Sequence, residues 1–343
     1  MNTTPHPAPA PSSGDRSLSG DRSRSAVRSL GPGVLGMALV GTSVNVSRTL
    51  TDAPLFTAQA VRYAAAALVL LALARAAGAR PVWPRGREWL WLAGLAGSGL
   101  VVFNIAVVRG VAHAEPAVIA VAVACVPVLL GVIGPVLERQ RPSRQVLLAA
   151  PVVVAGAVLV QGTGRTDATG VAWATLALAC EAGFTLLAVP VLRRHGAWGV
   201  SVHSVWLGAL MFLVLAVATE PASSLTALDS RQWAAVGYLA ALVTAAAFVL
   251  WYSTVAAVGA GRAGLLTGVA PLSAAAGGAL TGGGVPGAAV WAGLAVVVGG
   301  LVLGLRPRRT SAPRTAPAAT PDPAPRAVPE ANPDSAQWAA SGS

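Results

Sequence analysis

Two apolar stretches of this chain resemble each other, and their matching residues lie 144 positions apart. Residues 114–162 are similar to residues 262–305, and without a gap Pro127 falls on Pro271 and Gly156 on Gly300. Six of the eight positions in the run 152–159 are identical to those in the run 296–303. Proline is uncommon inside apolar helices because it lacks a backbone donor and clashes with the preceding turn. The repeat therefore predicts a membrane protein built by internal duplication.

Hydropathy points to the same class of protein. The chain is 55% hydrophobic and 11% charged, whereas a soluble domain carries about 25% charged residues. Residues 263–305 contain no charged side chain. Because one membrane crossing takes about 20 residues, this stretch accommodates two spans joined by the turn-rich residues 281–287. The predicted fold class is an all-α integral membrane protein.

The hydropathy pattern predicts ten transmembrane helices, arranged as two inverted five-helix repeats. We place the spans at residues 31–49, 55–74, 89–110, 114–137, 145–162, 169–191, 198–218, 232–257, 262–281 and 287–305. The first repeat then covers residues 30–163 and the second covers residues 164–305. The flanking segments 1–29 and 306–343 are polar and rich in proline, so we expect them to be disordered tails.

The placement of arginine predicts the orientation. All 24 basic residues are arginine, and the net charge is +11. With residues 1–29 inside the cell, 19 arginines fall on cytoplasmic segments, four fall on the opposite side, and Arg62 lies within a span. The positive-inside rule therefore predicts a multi-pass protein of the cell (plasma) membrane with both termini in the cytoplasm. Arginines spread between apolar runs do not indicate nucleic-acid binding.

Five spans in each copy mean that the second copy enters the membrane from the opposite side. Inverted halves usually place a binding site at their junction, near the middle of the bilayer. The predicted partners are therefore the lipid bilayer and a small-molecule substrate, with protons as a second transported species. No cofactor or metal is expected, because Cys125 and Cys180 lie inside predicted spans and His203 has no ligating neighbour in sequence. The sequence leaves a homodimer open.

Several short motifs follow one another in order along both copies. They are Gly41–Arg48, Arg62-Tyr63, Pro127, Glu138-Arg139 and Val154–Leu159 in the first copy, and Trp251-Tyr252, Gly261-Arg262-Ala263 and Pro271 in the second. In this order the chain resembles the EamA family of the drug/metabolite transporter superfamily, over roughly residues 33–305. The resemblance implies ten helices and the export or exchange of small metabolites by alternating access. One position departs from the family pattern: Gly282 stands where the family often has a glutamate equivalent to Glu138.

Two ionisable side chains fall inside predicted spans. Glu181 lies mid-way along the sixth span, where a carboxylate costs about 2.5–3.5 kcal/mol on insertion scales and should face a cavity or a partner. It is a candidate for proton coupling or for binding a cationic group, or else a structural acid that holds two helices together. Arg62 could bind a substrate carboxylate, pair with an acid such as Glu181, or extend to the outer interface.

Uncharged residues at membrane depth are further candidates for substrate binding. Asn45, Asn104 and Tyr252 could orient a substrate by hydrogen bonds, or bond to a neighbouring helix instead. Trp251 is either an aromatic wall for a cationic or ring-bearing substrate or an ordinary packing residue. Three prolines are expected to kink their spans and to free backbone carbonyls: Pro127, Pro190 and Pro271.

Together these features predict a secondary active transporter, not an enzyme. It would export or exchange a small metabolite, amino acid-like or amphipathic, by alternating access, with proton antiport through Glu181. The alternatives are a transporter or flippase for nucleotide- or lipid-linked sugars, a polytopic membrane enzyme, and a passive channel. The short loops show no cluster of catalytic acids or histidines, and no Walker loop for direct use of ATP.

Overall fold

The chain forms helices joined by short turns. The structure, a computed structural model, describes residues 13–162, 164–280 and 287–305. Within these ranges the α-helices are α1 (Ser13–Ser47), α2 (Leu55–Ala76), α3 (Glu88–Leu95), α4 (Phe103–Gly110), α5 (Pro116–Ala124), α6 (Val126–Leu137), α7 (Arg144–Gln161), α8 (Ala168–Leu186), α9 (Val189–Thr219), α10 (Ser230–Tyr238), α11 (Ala247–Val258), α12 (Ala260–Leu265), α13 (Val269–Leu280) and α14 (Ala288–Leu305). No β-strand is present among them, which confirms the all-helical prediction for the described residues.

Two long helices each contain a π-helical segment. Helix α3 continues through Ala96–Val102 into α4, and α10 continues through Leu239–Ala246 into α11. Shifted by 144 residues, the first segment falls on residues 240–246. The two irregular segments therefore occupy equivalent places in the repeat. π-helical turns are rare and are frequently found at functional sites.

Eight helical stretches in the described part of the chain are long and apolar enough to cross a membrane, judged by length and composition. They are Ser29–Leu50, Leu55–Ala76, Glu88–Gly110, Val118–Leu137, Ala168–Leu186, Val189–Thr219, Ser230–Val258 and Ala288–Leu305. The predicted fifth span corresponds to α7, whose apolar part, Arg144–Val160, is shorter. The predicted ninth span corresponds to α12 and α13, which the 3-10 turn Leu266–Gly268 separates.

The first helix begins earlier than predicted. Helix α1 starts at Ser13, whereas composition predicts a disordered tail over residues 1–29. Extending an existing helix costs far less than nucleating one, so the apolar span Ser29–Leu50 can carry a polar helical extension. Residues 1–12 and the predicted tail 306–343 lie outside the described residues.

The boundary between the sixth and seventh predicted spans also differs in detail. Helix α8 ends at Leu186 and α9 begins at Val189, before the predicted end at residue 191. Within α9, Gly196 has φ 63° and ψ 179°, which is not helical. Positive φ values are accessible to glycine because it has no Cβ. The helical path therefore breaks at Gly196, inside the predicted loop 192–197.

Most of the extensive helix contacts join a helix of the predicted first repeat to one of the second. The pairs are α7 with α14, α2 with α9, α1 with α13, α1 with α11, α6 with α12 and α4 with α8. The core contains such contacts between the halves: the ring of Tyr63 on α2 stacks on the ring of Phe212 on α9, with centroids 5.4 Å apart. Both halves therefore contribute to one apolar core.

Helices α7 and α14 cross where glycines allow their backbones to meet. A Cβ on Gly156 would lie 2.6 Å from the backbone nitrogen of Val297. A Cβ on Gly300 would lie 3.0 Å from the backbone nitrogen of Val153. These two contacts are reciprocal, because a shift of 144 residues converts each residue on α7 into its counterpart on α14. Val153, the earlier residue on α7, meets Gly300, the later residue on α14, and Gly156 meets Val297. The two helices are therefore antiparallel around a local two-fold axis.

Candidate functional site

Arg62 on α2 is held in a polar network that crosses between the two halves of the chain. Its Nε donates to Oγ1 of Thr244 at 3.0 Å, and one of its terminal nitrogens donates to Oε1 of Gln59 at 3.4 Å. Gln59 in turn donates from Nε2 to Oδ1 of Asn104 at 2.9 Å. Thr244 lies in the second π-helical segment and is fully buried. The network thus joins α2, α4 and the second π-helical segment.

The guanidinium of Arg62 has no acidic partner in the described part of the chain. The ion pairs found there involve other residues, and Arg62 is partly exposed. The expected alternative in which Arg62 pairs with Glu181 is therefore not what the structure shows. Its second terminal nitrogen makes no hydrogen bond to a described residue. Since a cation at membrane depth is costly unless it is paired, this group is suited to bind an anionic ligand.

Glu181 is the second ionisable group at span depth. It lies on α8 between the buried residues Cys180 and Ala182, and it is itself partly exposed. Its carboxylate makes no hydrogen bond or ion pair with any described residue. Gly183, two residues after Glu181, faces Ser98 of the first π-helical segment, whose Oγ would lie 3.2 Å from a Cβ at that position. A carboxylate in this setting can take up a proton or bind a cationic group.

Trp251 and Tyr252 connect α11 to α8 close to Glu181. The indole Nε1 of Trp251 donates to Oγ1 of Thr185 at 3.1 Å, and the hydroxyl of Tyr252 donates to the carbonyl of Phe184 at 3.0 Å. Both aromatic residues are buried. Their polar atoms are thus used in packing within the protein. They fix the position of the helix that carries Glu181.

The two asparagines have bonds to their surroundings. Asn45 donates from Nδ2 to the carbonyl of Ala274 at 3.2 Å and so joins α1 to α13. Asn104 donates to the carbonyl of Leu100 at 2.6 Å while its Oδ1 accepts from Gln59. Asn104 is thus part of the Arg62 network. Asn45 belongs to a separate contact between the halves.

The three prolines share one local setting. Each stands in the first turn of a helix that follows an irregular turn: Pro127 in α6, Pro190 in α9 and Pro271 in α13. Proline is tolerated there because the first helical N–H groups have no partner within the helix. The break at Gly196, rather than Pro190, divides α9.

A further polar cluster lies in the turns before α5 and α8. Ala114 and Thr166 form an isolated antiparallel bridge. Beside it, Arg165 donates to Glu115 at 3.0 Å, and Nδ1 of His113 lies 3.1 Å from Oδ2 of Asp167. A surface cavity of about 520 Å³ opens between these turns.

The two carboxylates of this cluster are stabilised in their charged form. The hydrogen bond from Arg165 is the largest cause that lowers the pKa of Glu115. The N–H of Gly170 at the start of α8 is the largest cause that lowers the pKa of Asp167, followed by His113. The cluster therefore ties two turns together, and neither Arg62 nor Glu181 lines its cavity.

Sequence reasoning missed two members of the Arg62 network. Gln59 precedes Arg62 by three residues, and on a helix that spacing places two side chains on one face. This signal was available in the sequence. Thr244 is separated from Arg62 by 182 positions, and no local pattern predicts that contact. Within the described residues, no group of three His, Cys, Asp or Glu side chains is placed to hold a metal ion.

The long apolar helices and the polar groups within them define a multi-pass α-helical membrane protein. Comparison with known proteins assigns the family. The family model of the EamA-like transporter family matches residues 32–161 and, separately, residues 168–306. These matches cover most of the chain, which therefore belongs to the EamA-like transporter family, as the resemblance predicted.

Individual relatives agree with this assignment. The uncharacterized transporter YetK of Bacillus subtilis (strain 168) is 28% identical over 246 residues, which are 69% of this chain and 74% of that protein. A solved crystal structure of a protein is 20% identical and similar in fold, with a TM-score of 0.67 over 81% of this chain and 97% of that one. The latter similarity concerns the fold alone.

Proposed function

We propose that this chain is a secondary active transporter that moves a small metabolite by alternating access at the junction of its two halves. The observation that carries this proposal is the hydrogen bond from Arg62 to Thr244, which crosses from the first half to the second at span depth. A polar group shared by two halves can be exposed to either side of the membrane as the halves rock. The names of the family and of its relative also favour a transporter over an enzyme.

We further propose ten spans in two inverted repeats. The antiparallel, reciprocal crossing of α7 and α14 supports this arrangement, because equivalent helices of inverted halves must run in opposite directions. The equivalent positions of the π-helical segments support it as well. So do the two separate matches to the family model. With residues 1–29 inside, both termini are then in the cytoplasm of a plasma-membrane protein.

The substrate that fits this site carries a carboxylate. Arg62 offers its second terminal nitrogen, and Thr244 and Gln59 hold the guanidinium plane in place. Charge-assisted bonds from arginine to a carboxylate are about twice as strong as neutral ones. An amino acid-like or amphipathic metabolite meets this requirement, and export or exchange is the proposed direction. Asn104 lies in the same network, whereas Asn45, Trp251 and Tyr252 position the helices around it.

Glu181 is the proposed coupling group. Its carboxylate is partly exposed and has no bonded partner in the described structure, so it is free to exchange a proton as the protein alternates. Proton antiport follows if the carboxylate is protonated when it faces one side and charged when it faces the other. This role needs no cofactor.

The experiment begins by identifying a substrate and then measures coupling. Strains that lack or overexpress the protein are compared for growth on a panel of carboxylate-bearing metabolites and their toxic analogues. The purified protein is then reconstituted in proteoliposomes, and flux of the substrate is measured with and without an imposed pH gradient. We expect the gradient to drive flux in the wild type and not in Glu181→Gln, whose carboxamide cannot ionise.

A matched control uses an acid outside the membrane site. Glu115→Gln changes a carboxylate in the turn before α5 and should keep the response to the pH gradient. If Glu181→Gln responds to the gradient as the wild type does, the coupling role of Glu181 is wrong. Flux that does not saturate with substrate would instead indicate a channel.

A further inference from the structure

The turn between α2 and α3 presents an exposed tryptophan among exposed arginines. Trp83 is 67% exposed, whereas tryptophan side chains of soluble proteins are highly buried on average. Four exposed arginines surround it in sequence: Arg75, Arg80, Arg85 and Arg87. Both flanking helices are candidate membrane spans. The turn therefore lies at an edge of the membrane, on the side predicted to be cytoplasmic.

The backbone of this turn is held in place by side chains of α9 and α3. The carbonyl of Val82 accepts a hydrogen bond from Nε2 of His203 at 2.9 Å, and that of Trp83 accepts one from Arg194 at 3.4 Å. The backbone nitrogen of Arg85 donates to Oε2 of Glu88 at 2.8 Å. The turn is thus a preorganised surface, because three of its residues are bonded to α9 and α3.

The ring of Trp83 is fixed in the same way. It stacks on Trp206, with centroids 6.5 Å apart and planes 11° from parallel. The ring of Trp89 meets it edge-on at 5.4 Å. The indole therefore keeps one position although most of the residue is exposed. Tryptophan is enriched where lipid headgroups meet the hydrocarbon, because its ring is apolar and its N–H is polar.

The positive charge of the turn is not compensated within the described structure. Its acid, Glu88, is already bound by Arg194, by Nε2 of His195 at 3.2 Å and by the backbone of Arg85. The guanidinium groups of the four exposed arginines make no ion pair or hydrogen bond with any described residue. The turn thus offers several guanidinium groups that can bind an anion.

We propose that this turn is a binding site for an anionic phospholipid. Arg85 and Arg87 hold the headgroup phosphate, for which the planar guanidinium is suited, and Trp83 lies at the level of the glycerol backbone. An acyl chain follows the apolar side chains of the adjoining helix turns, Leu73 and Leu90, which are 43% and 71% exposed. Clusters of arginine next to a membrane span are typical of anionic-lipid recognition.

A second arginine cluster of the same predicted side provides the control. Arg139 and Arg141, in the turn between α6 and α7, and Arg144, the first residue of α7, are also exposed, but this cluster has no tryptophan. General attraction between positive charge and an anionic membrane depends on the number of charges. It therefore predicts a larger effect from removing these three arginines than from removing two at the proposed site.

The test measures lipid binding by the purified, detergent-solubilised protein with native mass spectrometry. Phosphatidylglycerol is titrated against the wild type, the double variant Arg85→Gln/Arg87→Gln and the triple variant Arg139→Gln/Arg141→Gln/Arg144→Gln. At about 1 kcal/mol for each arginine near an anionic surface, we expect the double variant to bind about 30-fold more weakly. The triple variant should bind within about twofold of the wild type. Phosphatidylcholine should bind weakly to all three.

Two further arms separate lipid from soluble phosphate and from general loss of structure. Glycerol phosphate at the concentration of the lipid should not displace it, since the apolar contacts contribute. Trp83→Ala should weaken binding, whereas Trp291→Ala, which alters a tryptophan that is 58% exposed on α14, should not. Equal loss in the double and triple variants, displacement by glycerol phosphate, or retained binding in the double variant would each overturn the proposal. Thermal unfolding of the arginine variants checks that they fold; their side chains make no hydrogen bond or ion pair with a described residue.

Discussion

Arg62 is the residue on which the proposed transport site depends. Two of its hydrogen bonds are made to a threonine and a glutamine, neither of which neutralises its charge. In proteins, a cation at this depth normally has an acidic partner or lines a cavity. Among the described residues Arg62 has no acidic partner, and a substrate carboxylate would supply the missing charge.

Replacing Arg62 should therefore change substrate affinity more than protein folding. Hydrogen bonds to charged groups contribute about 1.5–3 kcal/mol, so we expect Arg62→Gln to raise the KM for a carboxylate substrate by about 10- to 100-fold. Arg62→Lys should have an intermediate effect, since lysine keeps the positive charge but lacks the planar guanidinium that can bind a carboxylate with two hydrogen bonds. Arg109→Gln, at an exposed position of α4, is the control and should leave KM unchanged. An unaltered KM in Arg62→Gln would mean that Arg62 only extends towards the interface.

The carboxylates at the turns before α5 and α8 lead to a prediction about pH. The pKa of Asp167 is lowered in the folded protein, mainly by the N–H of Gly170. The stability that this provides is fully present above the unfolded pKa of about 4, and it is lost as the pH falls through the lowered pKa of the folded state. Thermal unfolding of the wild type in detergent should therefore shift to lower temperature as the solution is acidified below about pH 4.

The variant Asp167→Asn isolates this effect. Asparagine is also a good N-cap residue, so the start of α8 is preserved while the ionisable group is removed. We expect the variant to lose less stability than the wild type on acidification. Asp52 is an exposed acid with no hydrogen bond in the described structure. Asp52→Asn should therefore lose as much stability on acidification as the wild type does. An identical acid response in Asp167→Asn and the wild type would contradict the assignment.

At the scale of elements, the crossing of α7 and α14 is a contact between the halves that leaves no room for an added side chain. A Cβ added at Gly156 would meet the backbone of Val297 at 2.6 Å and that of Gly293 at 2.8 Å, and backbone atoms cannot easily move. Gly156→Ala should therefore lower the unfolding temperature. Gly299→Ala is the control on α14, since nothing lies within 4 Å of its added Cβ. That variant should be neutral, or stabilised by up to about 1 kcal/mol through helix propensity.

A difference between the two halves has a physical reason at this scale. Glu138 at the end of α6 accepts the N–H of Ala260 at 2.9 Å, and so caps the start of α12. The repeat shift of 144 residues carries Glu138 onto Gly282 and Ala260 back onto Pro116. Proline has no N–H to donate. Pro116 therefore lacks the backbone donor that Ala260 offers to Glu138.

The sequence predicted where helices form better than it predicted what lies within them. Apolar runs of membrane length and the repeated Pro127 and Gly156 were enough to locate the helical segments. The π-helical segments were not predicted, because their altered hydrogen bonding leaves no periodic signal in apolar helices. The break at Gly196 was placed only approximately, since any glycine in the loop could adopt its backbone angles.

The candidate site was predicted in part for a similar reason. Arg62 and Glu181 stand out in any hydropathy plot, because charges are rare in apolar runs. Their surroundings depend on contacts between distant parts of the chain, such as the bond from Arg62 to Thr244 across 182 positions. Trp251 and Tyr252 were recognised as aromatic neighbours, but their hydrogen bonds to α8 follow only from the packing of α11.

At the scale of the whole molecule, the two halves of the chain share one core, and α7 and α14 contact each other through equivalent residues. Helices of one half pack mainly on helices of the other, so motion of one half must repack this shared interface. Such an interface suits alternating access, because a rocking motion can open the junction on one side while closing it on the other.

The orientation of equivalent helices tests the central claim most directly. Arg141 precedes α7, and Gly287 immediately precedes α14; both are exposed. With Cys125 and Cys180 replaced by alanine, Arg141→Cys and Gly287→Cys are introduced one at a time and treated in intact cells and in inverted vesicles with a maleimide that does not cross membranes. We expect Gly287→Cys to react in intact cells and Arg141→Cys to react only in inverted vesicles. Labelling of both cysteines from the same face would contradict the inverted repeat and the transport mechanism built on it.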